Sequence, residues 1–262
     1  MLYINKFNSS GDVQTALQNG TLLKPYLAIV GNSVDYNSQS ISHNYANDYL
    51  TFVFTTSGSI SSDLDFYFSK DNGTTWEQGY IDVEEGDEII AKGDVKQVVN
   101  SDPPLNIQGT YSVQGNVMSI YNSTGFTGIT EFEDSSHHIK ELFRNCTGLT
   151  TAENLILPIT SLTIGCYESM FEGCTSLTTA PELPALEAIN TCYQRMFSGC
   201  TSLNYIKCML EDPQSSVSNS ALFQWVDSVA STGTFVKNVN ATWSQGGSSQ
   251  DDVPANWTIV NA

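Results

Sequence analysis

The sequence predicts a mostly β fold with short helices: a β-sandwich followed by a short stacked solenoid, preceded by a small separate module. Three observations lead there. Residues 46–100 alternate apolar and polar side chains between Gly, Ser and Asp-Asn-Gly turn signals. From His138 onward the chain repeats itself, with Cys146, Cys174 and Cys200 at intervals of 28 and 26 residues. Only 15% of the residues are charged, and Ser, Thr, Asn and Gly take their place, a composition suited to strands and turns. The boundaries that follow are 1–45 for the module, 46–104 for the sandwich and 105–262 for the capped solenoid.

Within the first segment, Asp12 is placed to cap a one- or two-turn helix through Leu17, stopped by Asn19-Gly20. A strand from Lys24 to Val30 follows. The helix, the Lys24-Pro25-Tyr26 strand and the Val34-Asp35-Tyr36-Asn37 ending resemble the amino-terminal segment of several virion proteins of gut phages. That resemblance implies an attachment or oligomerisation role.

In the second segment YLTFVFTT, LDFYFSK and IDVEEGDEIIAK supply four or more short strands with close turns, which suggests an immunoglobulin-like sandwich. Ser69, Asp71, Gly73, Thr75 and Trp76 spell S-x-D-x-G-x-T-W, which resembles the Asp-box of sialidases. The resemblance implies a structural hairpin, with a turn suited to Asp71, Asn72 and Gly73 and with Trp76 packed beneath. Sialidase chemistry is excluded. It needs a cluster of arginines, and the chain has two, Arg144 and Arg195, both among the repeats. The acids Asp63, Asp65, Asp82, Glu84, Glu85, Asp87 and Glu88 read as solvated charges that discourage edge-to-edge pairing. A calcium site is the other reading, although no twelve-residue loop pattern fits.

Pro103 and Pro104 mark the next boundary. The strands expected over 105–135 would cover the open end of the repeats, as a solenoid requires. Three repeats align: HIKELFRNCTGLTTAENLILP, CYESMFEGCTSLTTAPELPAL and CYQRMFSGCTSLNYIKCML. Their register is fixed by Phe143, Phe171 and Phe197, by Cys146, Cys174 and Cys200, by Leu149, Leu177 and Leu203, and by the pair Cys166 and Cys192. A degenerate fourth copy, ALFQWVDSVASTGTFV, puts Trp225 and Val226 at the Met-Phe position and Val229 at the cysteine position, as a terminal cap would.

In CYESMF the apolar residues fall at i, i+1, i+4 and i+5, which predicts a helical stripe of about one and a half turns, stopped by Gly173 or Gly199. A strand follows in each copy. One such unit cannot bury its apolar side alone, so the units stack as a leucine-rich-repeat-like solenoid of few coils. The six cysteines recur at equivalent positions and read as free, buried thiols, with redox bridges or zinc as the other readings. No CxxC and no nearby His pair at zinc-ligand spacing supports a metal.

These strings, LFxNCTxL and CYxxMFxGCTSLTTAPELPA, resemble the BspA-like, or type-5, leucine-rich repeats of bacterial surface proteins. The closing WVDSVASTGTFVKN and VPANWTIVNA resemble the tail those repeats carry in proteins of gut Bacteroidales and their phages. The likeness covers about residues 107–262; it departs at His138, which stands in the first cysteine position, and in the Ile-Lys-Cys strand of the third repeat. It implies adhesion or recognition, not chemistry. Binding would fall on positions that vary between otherwise similar units and were expected to face solvent: Glu168, Ser169 and Glu172 in one copy, Gln194, Arg195 and Ser198 in the next. The other reading of each is a solvated helix position.

Ten Lys and Arg face twenty-eight Asp and Glu, giving −18, divided evenly between the halves. A nucleic-acid partner is excluded, since it would need a basic footprint. No apolar run approaches bilayer length, so no membrane insertion is expected. The start MLYINKFNSSGDVQ has no basic region followed by an apolar stretch, so no conventional secretory signal is expected, a mature secreted protein beginning at an internal methionine being the other reading. Export without a leader is accounted for if the chain leaves by lysis. Three histidines and no nucleophile elbow, phosphate loop or zinc-protease motif predict a protein that is not an enzyme and needs no cofactor. The expectation is a phage virion surface protein, a head or tail fibre or decoration, and a homo-oligomer, with a trimer as the first guess by analogy with fibres. It would dock on other virion proteins through its amino-terminal module and meet a host-surface glycan or protein through its repeats. A bacterial cell-surface adhesin and a purely structural virion component are the alternatives.

Overall fold

The computed structural model describes residues 4–7, 27–30, 33–35, 45–96, 104–133, 138–213, 220–246 and 251–262. It divides into two compact units, 1–44 and 45–262. In the first, β1 (Ile4–Phe7) pairs parallel with β2 (Leu27–Val30), which pairs antiparallel with β3 (Ser33–Asp35). The helix expected from Asp12 to Leu17 and the start of the strand at Lys24 lie outside the described residues.

The second unit is built on one ten-stranded sheet. Its antiparallel part comprises β4 (Leu50–Phe54), β6 (Phe66–Ser69), β7 (Glu77–Gln78) and β9 (Glu88–Gly93). Its parallel part runs β11 (Tyr111–Asn116), β12 (Leu149–Ile156), β13 (Thr179–Leu183), β14 (Tyr205–Cys208), β15 (Gly233–Lys237) and β16 (Trp257–Asn261). The two parts join where β11 pairs antiparallel with β4 on one side and parallel with β12 on the other. The sheet therefore runs without a break across the boundary drawn near residue 104. A three-stranded antiparallel sheet of β10 (Asn106–Gln108), β5 (Gly58–Ser61) and β8 (Tyr80–Val83) forms a second layer. Its Ile60, Ile81 and Val83 share one core with Phe52, Phe54, Phe66 and Phe68.

This continuity supplies the cover that the first coil needs. Strand β11 acts as the rung before β12, and the antiparallel strands behind it close that end, so no apolar coil face is left open. Beyond the last full repeat, Trp225, Phe235 and Trp243 pack ring on ring, with Trp225 and Trp243 stacked at 5.5 Å.

The short helices expected in each repeat are corrected. Among the described residues the helices are the 3-10 turns Tyr45–Asn47 and Val117–Ile120. The segments from Ile139, Tyr167 and Tyr193 are chains of turns in which every fourth residue is left-handed: Gly165, Ser169 (φ 52°) and Gly173, then Thr191, Arg195 (φ 53°) and Gly199. Hydrogen bonds alternate along them. The Met170 amide donates to the Tyr167 carbonyl within the turn, and the next amide, Phe171, donates to Met196 of the following coil at 2.9 Å. Ser169 and Gly173 likewise donate to Gln194 and Ser198. A helix would spend every amide inside its own segment; this arrangement sends half of them to the neighbouring coil and welds the stack. Those bonds offset the cost of left-handed non-glycine residues, about 1–2 kcal/mol each. At Gly173 (φ 76°) the left-handed backbone favours glycine, and a Cβ there would force the Asn145 side-chain oxygen to move.

The rest of the repeat register is met. Phe143, Phe171 and Phe197 stack at 5.3 and 5.6 Å, and Leu149, Leu177 and Leu203 are fully buried. The ladder bonds from Arg195 to Phe223 and from Gly199 to Asp227 set Trp225 and Val226 at the positions of Met196 and Phe197. All six cysteines are free and buried. The Cys174 thiol donates to the Phe143 carbonyl at 3.0 Å and Cys200 to that of Phe171 at 2.9 Å, so the sulfurs serve the stack as small fillers with a weak donor.

Candidate functional site

The second unit presents two surfaces of its coils, the turn face and the outer face of the parallel strands. On the turn face, Lys140 reaches Glu168 at 3.0 Å and Glu141 at 3.4 Å. Arg144 pairs with Glu141 at 3.2 Å and Glu172 at 3.8 Å, and Arg195 meets Glu172 from the other side at 3.8 Å. Three cations and three carboxylates on three successive coils thus neutralise one another. Burial works against the charge of Lys140, but its bonds to Glu168 and Glu141 outweigh this and raise its pKa.

Of the six residues expected to bind, Arg195 is exposed, while Glu168, Glu172 and Gln194 are half-buried. Ser169 and Ser198 are corrected: at 4% and 8% exposure they do not face solvent. Ser169 occupies a left-handed position whose amide is spent on the next coil, and the close approach of coils there leaves its short side chain covered. Glu168, Glu172 and Arg195 are committed to one another's coils, so this face is first of all a clasp between repeats.

The strand face differs. Register places Glu88, Val53, Ser112, Thr151, Thr179, Tyr205, Thr234 and Thr258 in one row across eight strands. Six of the eight carry hydroxyls, and all six are half-buried or exposed. At about 4.8 Å per strand the row spans roughly 34 Å. Thr151 accepts a hydrogen bond from the Glu153 amide at 3.3 Å; the hydroxyls of Thr179, Tyr205, Thr234 and Thr258 hydrogen-bond to none of the described residues. Beside the row, Lys207 pairs with Glu182 at 2.9 Å. The turn carrying Tyr45 packs on β11 and β12. Burial, then the charges of Asp48, Glu88 and Glu153, raise the pKa of the Tyr45 phenol. The repeat alignment held the signal for part of this row: Thr151, Thr179 and Tyr205 each stand two residues after the repeating leucine. Ser112 and Glu88 could not be found that way, because they lie on strands outside the repeat.

Ser69, Asp71, Gly73, Thr75 and Trp76 converge as the hairpin that the Asp-box pattern implies. The Ser69 hydroxyl donates to Asp71 at 2.8 Å and accepts from the Gly73 amide at 2.9 Å. Asp71 accepts from the Thr75 amide at 2.8 Å and from its hydroxyl at 2.7 Å, while the Trp76 indole donates to the Gly73 carbonyl at 3.1 Å. The bonds from the Thr75 amide, the Thr75 hydroxyl and Ser69 hold the Asp71 carboxyl down at about 2. Trp76 also packs edge-on against Tyr49 and takes the Lys92 ammonium over its ring at 3.9 Å. The carboxylate spends its acceptors on the turn, so the motif is local architecture.

An open pocket of about 360 Å³ lies over residues 121–133, with Glu131 and Glu133 at its rim. Glu133 is paired with Lys96 at 3.5 Å, and the described lining holds no Cys, Ser, His or Lys. Among the described residues no group of three or more His, Cys, Asp or Glu side chains is gathered as a metal site. Burial pushes the Cys146 thiol up to about 11 and those of Cys166 and Cys208 to about 12, the opposite of an activated nucleophile. No helix among the described residues is long and apolar enough to cross a membrane. Comparison with known proteins finds no matching family model, curated protein or solved structure.

Proposed function

We propose that the chain is a non-enzymatic surface protein of a phage virion, a head or tail fibre or decoration, whose leucine-rich-repeat-like coils bind the host surface. The coils follow an immunoglobulin-like sandwich, and residues 1–45 dock the chain on other virion proteins as a homo-oligomer. The observation that carries this reading is the in-register stacking of coils onto one sheet: every coil spends its backbone bonds and apolar side chains on its neighbours and leaves a rigid, polar surface for display. The resemblance of the repeats and their tail to BspA-like proteins of gut Bacteroidales and their phages supplies the setting.

Two measurements test it. Mass spectrometry of purified particles, guided by a gene beside capsid and portal genes, should find the chain at a fixed copy number, and deletion of residues 1–45 should abolish incorporation while leaving a folded repeat region. A gene without virion neighbours whose product sits on the cell envelope would replace this reading with that of a bacterial adhesin.

A further inference from the structure

The hydroxyl row on the strand face has a geometry that the repeats alone do not explain. It crosses from the parallel coils onto the antiparallel strands through the pair Ser112–Thr151, which has a register shift on either side, and runs from Thr258 to Ser112 and on to Val53 and Glu88. Side chains on the turn face are bound to one another, whereas the hydroxyls of Thr179, Tyr205, Thr234 and Thr258 are satisfied by none of the described residues and point to the exterior of the sheet. Tyr205 stands at the middle of the row, and the turn that carries Tyr45 packs on β11 and β12.

From this arrangement we infer that the strand face binds a neutral glycan chain laid across the strands, with Tyr205 and Tyr45 as stacking platforms and the hydroxyls of Thr179, Thr234 and Thr258 as hydrogen-bonding partners along the chain. Three physical features select that ligand. Sugar rings present apolar C–H faces to aromatic rings and hydroxyls at their edges, which a row of alternating donor-acceptor hydroxyls can match in either direction. The strand spacing of about 4.8 Å is close to the length of one pyranose unit, so successive rungs meet successive sugars. Among the described residues, the carboxylates of Glu88 and Glu153 are exposed on the face, Lys207 beside the row is held by Glu182, and Lys92, farther along β9, lies over the Trp76 ring. A polyanionic glycan would be repelled, and a flat apolar partner would leave the hydroxyls stripped of water and unpaired. Neutral saccharides satisfy both conditions.

The inference rests on the recognition role proposed above and names its face and ligand class. Its test uses the full chain in affinity electrophoresis and calorimetry against soluble neutral glucan, mannan and xylan, with alginate and heparin as polyanions and a protein-coated surface as a third arm. At least one neutral glycan should bind, and neither polyanion. Tyr205→Ala should weaken binding tenfold or more and Thr179→Val about threefold, whereas Tyr80→Ala, an exposed tyrosine of the other sheet, should leave it unchanged. Circular dichroism verifies that each variant is folded. Absence of neutral-glycan binding overturns the inference. Binding lost in Arg195→Ala but intact in Tyr205→Ala also overturns it and moves recognition to the turn face. Attachment to protein alone would leave the recognition role standing without this ligand; attachment to nothing would remove both.

Discussion

Replacing Phe171 by Ala is the most direct probe of the stacked coils. The ring is fully buried, 5.3 Å from Phe143 on one side and 5.6 Å from Phe197 on the other, with interplanar angles of 15° and 16°. Truncating a buried phenylalanine costs about 3–5 kcal/mol through lost transfer free energy and the cavity left behind. Each ring pair contributes about 0.5–1.5 kcal/mol beyond its area, and Phe171 belongs to two, so the upper half of that range applies. Against a total stability of about 5–15 kcal/mol, the variant loses a large share of the margin. All four tryptophans lie in the 45–262 unit, so urea unfolding followed by tryptophan fluorescence reports on this unit. With a slope near the top of the usual 1–3 kcal/mol per molar, the midpoint should fall by roughly 1–2 M. Phe223→Ala, on the same coil face but 45% exposed, should change stability by no more than about 0.5 kcal/mol. A double-mutant cycle between Phe171 and Phe197 should return a coupling of about 0.5–1.5 kcal/mol. A loss below about 1 kcal/mol in Phe171→Ala, or zero coupling to Phe197, would refute the stacked-coil account.

Three further outcomes are expected. The Asp71 carboxyl is held at about 2, below its unfolded value near 4, so its contribution to the hairpin is complete above pH 4 and lost as pH falls through about 2. NMR titration should follow this in the Thr75 amide, Asp71→Asn should abolish it, and a midpoint near 4 would contradict the hydrogen-bond geometry. The six thiols should ignore Ellman's reagent in the native chain at pH 8 and react together on unfolding, since all six are buried and burial raises the pKa values of Cys146, Cys166 and Cys208; rapid labelling of even one would show an open coil. The Tyr193 hydroxyl is buried with no hydrogen-bond partner among the described residues, so Tyr193→Phe should raise stability by about 1 kcal/mol, and a destabilised variant in the same urea assay would show that the hydroxyl is bonded after all.

The repeat register, the inward residues and the hairpin were legible in the sequence because each depends on local spacing. Phe143, Phe171 and Phe197 recur with their cysteines and leucines, and one-sided burial follows wherever such units stack. The shifted Trp225 and Val226 could be placed because the cap retains the apolar pattern after losing the cysteine. The turn segments were misread as helices for a definite reason. Over six residues, apolar positions at i, i+1, i+4 and i+5 fit a period of 3.6 and a period of 4 equally well, and the choice between them is made by amides that bond across coils.

What the amino-acid order determined by itself, then, is which side chains turn inward and how often. Whether Ser169 and Ser198 reach solvent, whether Glu172 is shared between Arg144 and Arg195, and whether the first strands form a separate sheet or extend the coils were decided only by tertiary structure. Each of those depends on the register between segments tens of residues apart, such as the pairing of Ser112 with Val53 and Thr151. That register is set by the free energy of burying both partners together, which no local period encodes.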